Sequence, residues 1–278
     1  MNYRIVEDSS ANINHINSQV AFASVPLKII TADREFVDHA ELNVAEMISY
    51  LQEYKGKSST ACPSVADWLA VFGEAEAVFC FTITSKLSGS YNAARLAKED
   101  YEAAHPNRTV FLVDSLSTGG EMQLLIERTA QLLTQSKQPT EVYREVCAYQ
   151  KKTRLLFALQ SLNNLANNGR VNPLLAKISG ALGMRVIVRA SEQGELVTLS
   201  KCRGEKKALE KLVTHMSEMG YQGGAVRLDH CCNRSAAEQL RALIRAQYPN
   251  AEITIGETGG LCSFYAEKGG LILGFETE

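Results

Sequence analysis

Residues 78–94 contain the side chains whose type and spacing best fit the binding of an anion. The segment begins with an apolar, β-branched and aromatic run typical of a buried strand and continues from Tyr91 as a helix-forming sequence. Between the two lie Ser88, Gly89 and Ser90. A helix that follows a strand directly presents free backbone N–H groups and the positive end of its dipole, and both favour an anion. The two hydroxyls can donate further hydrogen bonds, and the glycine lets a ligand approach the backbone.

Two other interpretations of this segment stay open at the level of sequence. Ser88 or Ser90 could serve only as a helix cap. Alternatively, a hydrolase or phosphoester enzyme could use the Ser88 anion site, which would require a base that reaches Ser88 and a third group that orients the base. None of the five histidines lies in a recognisable triad pattern, and the segment is neither a Walker loop nor Gly-x-Ser-x-Gly. No Gly-x-Gly-x-x-Gly follows the first strand, which disfavours a dinucleotide enzyme.

Three other polar residues could lie near the anion site at Ser88. Asp8 and Ser9 end a predicted strand that begins at Tyr3, and ligand groups gather at the carboxyl ends of strands in an open α/β sheet. A helix cap is the alternative role for both residues. Thr60 lies on a predicted loop of small polar residues before Pro63, and this loop could face Ser88.

Composition excludes several classes of function. The chain of 278 residues is 45% hydrophobic and 22% charged, with a net charge of -2, so a nucleic-acid groove or a polybasic membrane surface is not expected. We find neither a signal peptide pattern nor an apolar run of transmembrane length, which predicts a cytoplasmic protein without stable membrane insertion. The seven cysteines include no Cys-x-x-Cys pair, so we expect reduced thiols and no metal site.

Strands and helices alternate through the first half of the chain, which predicts a Rossmann-like parallel sheet. The predicted strands are near 3–8, 25–30, 78–83 and 109–114, with 35–37 extending or pairing with the second. The regular alternation of strands and helices ends near Lys152, so we predict two α/β domains, 1–152 and 153–278. The elements predicted for the second domain are strands at 155–159, 224–230, 252–255 and 270–275, an exposed hairpin over 185–199, and helices over 161–169, 174–182, 205–219 and 234–248.

The order of these segments resembles the DegV family of bacterial lipid-binding proteins. The resemblance extends over nearly the whole chain and is carried most specifically by Thr-Ala-Cys-Pro-Ser at 60–64 and Thr-Ser-Lys-Leu-Ser-Gly-Ser-Tyr at 84–91. Ile-Val-Glu-Asp-Ser at 5–9 and Asn-Gly-Arg-Val at 168–171 also match. The chain is similar to the lipid-binding subunit of fatty acid kinase.

The resemblance implies two α/β lobes with one long-chain fatty acid buried between them. It implies a carboxylate held by Thr60 and Ser88, and an acid that is presented to a separate kinase for acyl-phosphate formation, in which Arg170 is implicated. The chain itself would be no enzyme and would need no cofactor. Together the residues and the resemblance predict one set of ligand-binding residues: Thr60, Ser88, Gly89, Ser90, Arg170, Ser9 and Asp8.

The chain departs from the family pattern at several positions. Glu7 stands where a threonine is usual, and Ala61 and Cys62 replace a Ser-Gln pair. The histidine and proline that many relatives carry near the C-terminus are absent from residues 263–270. Tyr265 could supply a hydroxyl near the missing histidine, or it could be a core or rim aromatic. These departures bear on the kinase partnership more than on lipid binding and mark a divergent member.

Overall fold

The structure is a computed structural model that describes residues 2–135, 137–174 and 183–278. Its strands are β1 (Tyr3–Asp8), β2 (Ala21–Val25), β3 (Lys28–Ile30), β4 (Glu35–Val37), β5 (Ser59–Ala61), β6 (Ala77–Thr82), β7 (Thr109–Asp114), β8 (Thr153–Leu159), β9 (Met184–Ala190), β10 (Leu196–Arg203), β11 (Ala225–His230), β12 (Glu252–Glu257) and β13 (Leu271–Glu276). Its helices are α1 (Val44–Glu53), α2 (Val65–Phe72), α3 (Ser90–Ala104), α4 (Gly119–Leu133), α5 (Pro139–Gln150), α6 (Asn163–Asn167), α7 (Glu205–Glu218), α8 (Arg234–Gln247) and α9 (Gly260–Ala266), with a 3-10 turn at Ser9–Ala11.

A four-stranded parallel sheet in the order β2-β1-β6-β7 forms the centre of the N-terminal half. Strand β6 is buried along its whole length, and its side chains alternate between two cores. Phe79 and Phe81 pack with α4 and α5 on one face, whereas Val78 and Cys80 pack with α2 and α3 on the other. The predicted Rossmann-like parallel sheet is therefore confirmed.

A six-stranded mixed sheet in the order β10-β9-β8-β13-β11-β12 forms the C-terminal half. Only β11 and β12 are parallel, and all other neighbours are antiparallel. Helices α7 and α8 share a core with this sheet, and α4 contacts it through β13, β11 and β8. The predicted hairpin over 185–199 is confirmed as β9 and β10, although β10 runs on to Arg203.

A small antiparallel sheet in the order β4-β3-β5 corrects two predictions. The single strand predicted over 25–30 is wrong: β2 ends at Val25, and the chain enters the small sheet as β3. Pro26 separates the two strands, because proline has no N–H to continue a ladder. Thr60 was predicted on a loop but lies in β5, opposite Ile29. Pairing of β4 with β3 agrees with the alternative predicted for 35–37.

Helix α4 crosses the second sheet at a contact that only glycine permits. A Cβ atom on Gly274 would lie 2.0 Å from the backbone nitrogen of Glu121, and one on Gly120 would lie 2.2 Å from the carbonyl oxygen of Arg227. Both neighbours are backbone atoms, so neither can rotate away. This close approach fixes the distance between the two sheets. The boundary at 152 and 153 stays a prediction.

The helix predicted over 174–182 lies almost entirely outside the described residues. Across the ranges that the structure describes, no helix combines the length and apolarity needed to cross a membrane.

Candidate functional site

A cavity of about 290 Å³ lies between the two predicted halves of the chain. Both halves line it, and most of the lining is apolar: Leu27, Ile83, Leu87, Phe157, Leu159, Leu165, Leu196, Leu261, Ala266 and Ile272. Four of the predicted ligand-binding residues also line it: Thr60, Ser88, Gly89 and Arg170. The structure therefore brings together groups that are up to 110 residues apart in the sequence. Cavities with apolar walls and a few polar groups are typical of sites for small organic ligands.

The strand-to-helix turn places the N-terminus of α3 at this cavity. Gly89 is the residue that precedes the first turn of the helix, with φ -74°. The hydroxyl oxygen of Ser88 accepts the N–H of Ser90 at 3.2 Å, which leaves the Ser88 proton free to be donated. A Cβ atom on Gly89 would lie 3.2 Å from Sγ of Cys62, so this turn adjoins the segment that follows Thr60.

Thr60 is fixed by the small sheet and meets a residue from the other half of the chain. Its Oγ1 lies 2.8 Å from the hydroxyl oxygen of Tyr265, which belongs to α9. Burial raises the pKa of the Tyr265 phenol, while the hydrogen bond to Thr60 and the charge of Arg170 partly oppose that increase. Tyr265 therefore carries its proton at neutral pH.

Arg170 lies beside Ser88 because its guanidinium is hydrogen-bonded to the loop before α3. Its Nε donates to the carbonyl oxygen of Leu87 at 3.1 Å, and its Nη1 donates to the carbonyl oxygen of Asn168. Among the described residues, its Nη2 has no hydrogen-bond partner. Within the part of the chain that the structure describes, one edge of the guanidinium is thus available to an anionic ligand.

Asp8 and Ser90 are buried behind the cavity and do not line it. Oδ2 of Asp8 accepts the Ser90 hydroxyl at 2.5 Å and the N–H of Ile83 at 3.0 Å. Oδ1 of Asp8 accepts the hydroxyl and the N–H of Ser10. Burial raises the pKa of Asp8, and these donors oppose the increase. The carboxyl joins the end of β1 to the turn that carries Ser88, so both residues position that turn.

Ser9 also does not line the cavity, but it supports residues that do. Its hydroxyl donates to Oδ2 of Asp38 at 2.8 Å and accepts the N–H of Leu27 at 3.0 Å. Asp38, which is 4% exposed, accepts the N–H groups of Gly260 and Leu261 at the start of α9. Burial raises the pKa of Asp38, while these donors lower it. Ser9 therefore helps to hold the helix that carries Tyr265. Contact of Asp8, Ser9 or Ser90 with a ligand stays a prediction.

Sequence reasoning did not assign α9 or the apolar wall of the cavity. Residues 261–268 lie between two glycine pairs and contain no proline, which is a signal for a short helix. The sequence predicts β8 only as a strand, because a sequence pattern does not tell which face of a strand meets a cavity. The lining is completed by Ala61, Cys62, Thr118, Cys262 and Tyr265.

The lining contains no histidine, aspartate or glutamate among the described residues. A serine nucleophile needs a base within hydrogen-bonding distance, so a hydrolase or phosphoester enzyme at Ser88 is not supported. Hydroxyls, a helix N-terminus and a guanidinium beside a long apolar wall fit an amphiphile with an anionic head.

Comparison with known proteins agrees with this chemistry. The model of the DegV family, described as uncharacterised proteins, matches residues 2–278. A DegV domain-containing protein of Streptococcus pneumoniae is 40% identical over 281 residues, covering 100% of both chains.

Two solved structures are similar to this one at 40% sequence identity. A DegV family protein from Eubacterium eligens loaded with heptadecanoic acid has a TM-score of 0.97 and covers 99% of this chain and 100% of its own. The Fatty Acid Kinase (Fak) B3 protein of Streptococcus pneumoniae loaded with linoleic acid has a TM-score of 0.98 and covers 100% of both chains.

Proposed function

Because the chain belongs to the DegV family, we propose that it binds one long-chain fatty acid in the cavity between its two halves. The observation that carries this proposal is the cavity itself: an apolar wall of ten side chains beside a cluster of hydroxyl, amide and guanidinium donors. The solved relatives loaded with heptadecanoic and linoleic acid support it.

The head group of the acid lies at the polar cluster in this proposal. Ser88 has a free proton, the N-terminus of α3 begins directly after Gly89, and Thr60 lines the same cavity. A carboxylate accepts several such hydrogen bonds at once, and charge-assisted bonds are stronger than neutral ones. The acyl chain runs along the apolar wall, where burial of each methylene contributes about 0.8 kcal/mol.

We propose further that the protein presents its fatty acid to a fatty acid kinase and is not itself an enzyme. The similarity to the Fak B3 protein supports a kinase partner. Arg170 supports it as well, because a guanidinium edge without a partner among the described residues is suited to the charge that a phosphoryl group brings.

The remaining proposals concern the setting in which the protein works. We place it in the cytoplasm, with the fatty acid as its ligand and no cofactor. The proposed domains are residues 1–152 and 153–278, with the site between them. Within the described parts of the chain, no group of three or more His, Cys, Asp or Glu residues could hold a metal ion.

The experiment that tests fatty-acid binding is extraction and mass analysis of the ligand from protein purified without detergent. We expect one long-chain fatty acid per chain. After delipidation, the protein should take up heptadecanoic acid to the same ratio. A delipidated sample that keeps its circular dichroism spectrum but takes up no fatty acid would reject the proposal.

A further inference from the structure

We propose that a second cavity is a binding site for a small organic phosphate, a ligand with a phosphate group on a compact, partly apolar body. This cavity has a volume of about 420 Å³, which suits a small organic ligand. Its walls are α4, α5 and the end of β7 from one half of the chain, and β8, β9 and the turn after β9 from the other. Among the described residues, none lines both this cavity and the one proposed for the fatty acid.

Three cationic side chains line this second cavity: Lys151 directly after α5, Arg154 on β8 and Arg189 on β9. Nη1 of Arg154 donates to the carbonyl oxygens of Lys151 and Thr153, both at 2.7 Å. Within the described part of the chain, none of the three cations forms a salt bridge, and the side chains of Lys151 and Arg189 form no hydrogen bond. Their N–H groups are therefore available to an anion in the cavity.

The two arginines lie on the same face of neighbouring strands. Arg189 is opposite Leu156 in the antiparallel pairing of β8 with β9, and Arg154 precedes Leu156 by two residues. Diagonal neighbours of this kind are about 7–8 Å apart, within reach of long side chains. Two like charges at such a distance repel each other, and an anion bound between them replaces this repulsion with attraction.

The acids that line the second cavity do not neutralise its cations. Glu192 is exposed on the turn after β9. Glu121 is buried, and its two oxygens accept the hydroxyls of Ser117 and Thr153. Burial raises the pKa of Glu121 to about 7, so this carboxyl is only partly ionised at neutral pH. The cations thus outnumber the anions, and a phosphate ester, with a charge of about −1.5 to −2 at pH 7, matches this excess better than a carboxylate does.

The turn after β9 is fixed to the first half of the chain. The carbonyl oxygen of Gly194 accepts the Thr84 hydroxyl at 3.0 Å. Within the turn, the Ser191 hydroxyl accepts the N–H groups of Gln193 and Glu195 at 3.2 and 3.1 Å. This wall of the second cavity therefore has its shape before a ligand arrives, which lowers the entropic cost of binding.

Apolar side chains border the cationic part of the second cavity, namely Leu116, Leu155 and Ala190. Leu116 lies just beyond the carboxyl end of β7, where ligands gather in α/β sheets. Its φ of 53° is uncommon for leucine, and its N–H donates to Oδ1 of Asp114 at 3.1 Å. These side chains fit the apolar body of an ester, so an ester is favoured over inorganic phosphate.

Calorimetric titration of the full chain with phenyl phosphate tests this site, with inorganic phosphate and phenol as the two parts of the probe. We expect phenyl phosphate to bind more tightly than either part. Arg189→Gln should weaken its binding about tenfold, the effect of losing a hydrogen bond between charged groups. Lys151→Gln changes an exposed side chain and should weaken binding about threefold. Arg144→Gln is the matched control, since Arg144 is exposed on α5 outside the lining, and it should bind like the parent.

Heptadecanoic acid should not compete with phenyl phosphate, because the two ligands occupy different cavities. Competition would place the phosphate in the cavity proposed for the fatty acid and overturn the inference. Parental affinity in both Arg189→Gln and Lys151→Gln would also overturn it, as would an equal loss in Arg144→Gln or a folded parent that binds no phenyl phosphate. A protein that binds phenyl phosphate as expected but takes up no heptadecanoic acid would reject the proposed function and support this second site.

Discussion

At the scale of single residues, the hydroxyls of Ser88 and Thr60 differ in their hydrogen-bond partners within the protein. Ser88 accepts an N–H from Ser90, which orients its oxygen and leaves its proton free. Thr60 shares its hydroxyl with Tyr265. Ser88 can therefore donate to a carboxylate, and so can whichever of Thr60 and Tyr265 accepts in the bond between them.

Replacing either hydroxyl should weaken fatty-acid binding measurably. We expect Thr60→Ala and Ser88→Ala each to cost about 1.5–3 kcal/mol, the loss of one hydrogen bond to a charged group. That cost corresponds to roughly a tenfold or larger loss of affinity in a fluorescence displacement titration. Thr214→Ala is a suitable control, because Thr214 is exposed on α7, outside the cavity lining, and its hydroxyl donates to the carbonyl oxygen of Glu210. Parental affinity in both site variants would place the head group elsewhere.

Arg170 should separate binding of the acid from its phosphorylation. The carboxylate already has hydroxyl and amide donors, whereas an acyl phosphate carries more charge and needs a cation. We expect Arg170→Ala to keep its affinity for the fatty acid within a few-fold and to lose phosphate transfer from a purified fatty acid kinase in a radiolabel assay.

Two other outcomes for Arg170→Ala would contradict this role. Arg170→Lys is the control for charge, since a lysine keeps the cation but cannot form the same planar contacts. If Arg170→Ala loses lipid binding and transfer together, the guanidinium belongs to the carboxylate site. Loss of neither would make it a residue without a role in the site.

At the scale of elements, helix α4 determines how the two sheets are spaced. It contributes apolar side chains to the core of the first sheet and contacts three strands of the second. Its approach to β13 depends on Gly120 and Gly274, where a side chain would meet backbone atoms. The cavity lies between the same two halves, so its width depends on this contact.

A methyl group at this contact should destabilise the fold. We expect Gly274→Ala to lower the free energy of unfolding by about 1–3 kcal/mol or more, because overpacking against backbone cannot be relieved by rotation. Urea unfolding followed by circular dichroism measures the change. Gly89→Ala is the control, since its Cβ would meet only a cysteine side chain at 3.2 Å. A Gly274→Ala variant as stable as Gly89→Ala would contradict the close approach.

The elements show which features a sequence can predict. The apolar run that became β6 was predicted correctly, because a continuous buried strand has a strong local pattern. The division of the second predicted strand into β2 and β3 was not predicted. It arises because the apolar stretch around Pro26 contributes to two different sheets, which depends on the tertiary structure. Helix α9 has seven residues and is held by Asp38, which lies 222 residues from Gly260, so no local signal reports that contact.

Some residues of the candidate site could likewise be predicted from local sequence, whereas others depend on the tertiary structure. Ser88 and Gly89 were predicted from a local strand-to-helix turn, and both line the cavity. The polar segment before Pro63 suggested that Thr60 could face Ser88, and the family resemblance gave Thr60 its role as a carboxylate ligand. Arg170 was assigned through the resemblance alone, because nothing near it in the sequence specifies a ligand. The apolar wall depends on strand register and on the packing of two halves, and these are properties of the tertiary structure.

At the scale of the whole molecule, buried carboxyl groups couple stability to pH. Burial raises the pKa of Asp229 to about 7, against hydrogen bonds from Asn12 and Gln123. Burial likewise raises the pKa of Glu121 to about 7, against hydrogen bonds from Ser117 and Thr153. Both acids lie where α4 meets the second sheet.

Stability should therefore fall as pH rises from about 4.5 to 7. In that range the folded protein keeps protons on Asp229 and Glu121 that the unfolded chain releases near pH 4. Because the folded state binds more protons, each increase in pH favours unfolding. We expect Asp229→Asn, which imitates the protonated acid, to flatten the dependence of the melting temperature on pH. The exposed Glu74→Gln should keep the parental slope, and equal slopes for all three proteins would contradict the assignment.

The most direct test of the proposed function is a crystal structure of the protein with heptadecanoic acid. We predict one acid in the cavity between the halves, with its carboxylate about 3 Å from the hydroxyls of Thr60 and Ser88 and its chain along Phe157, Leu159 and Ile272. A carboxylate at the apolar end, or an acid bound only outside this cavity, would contradict it.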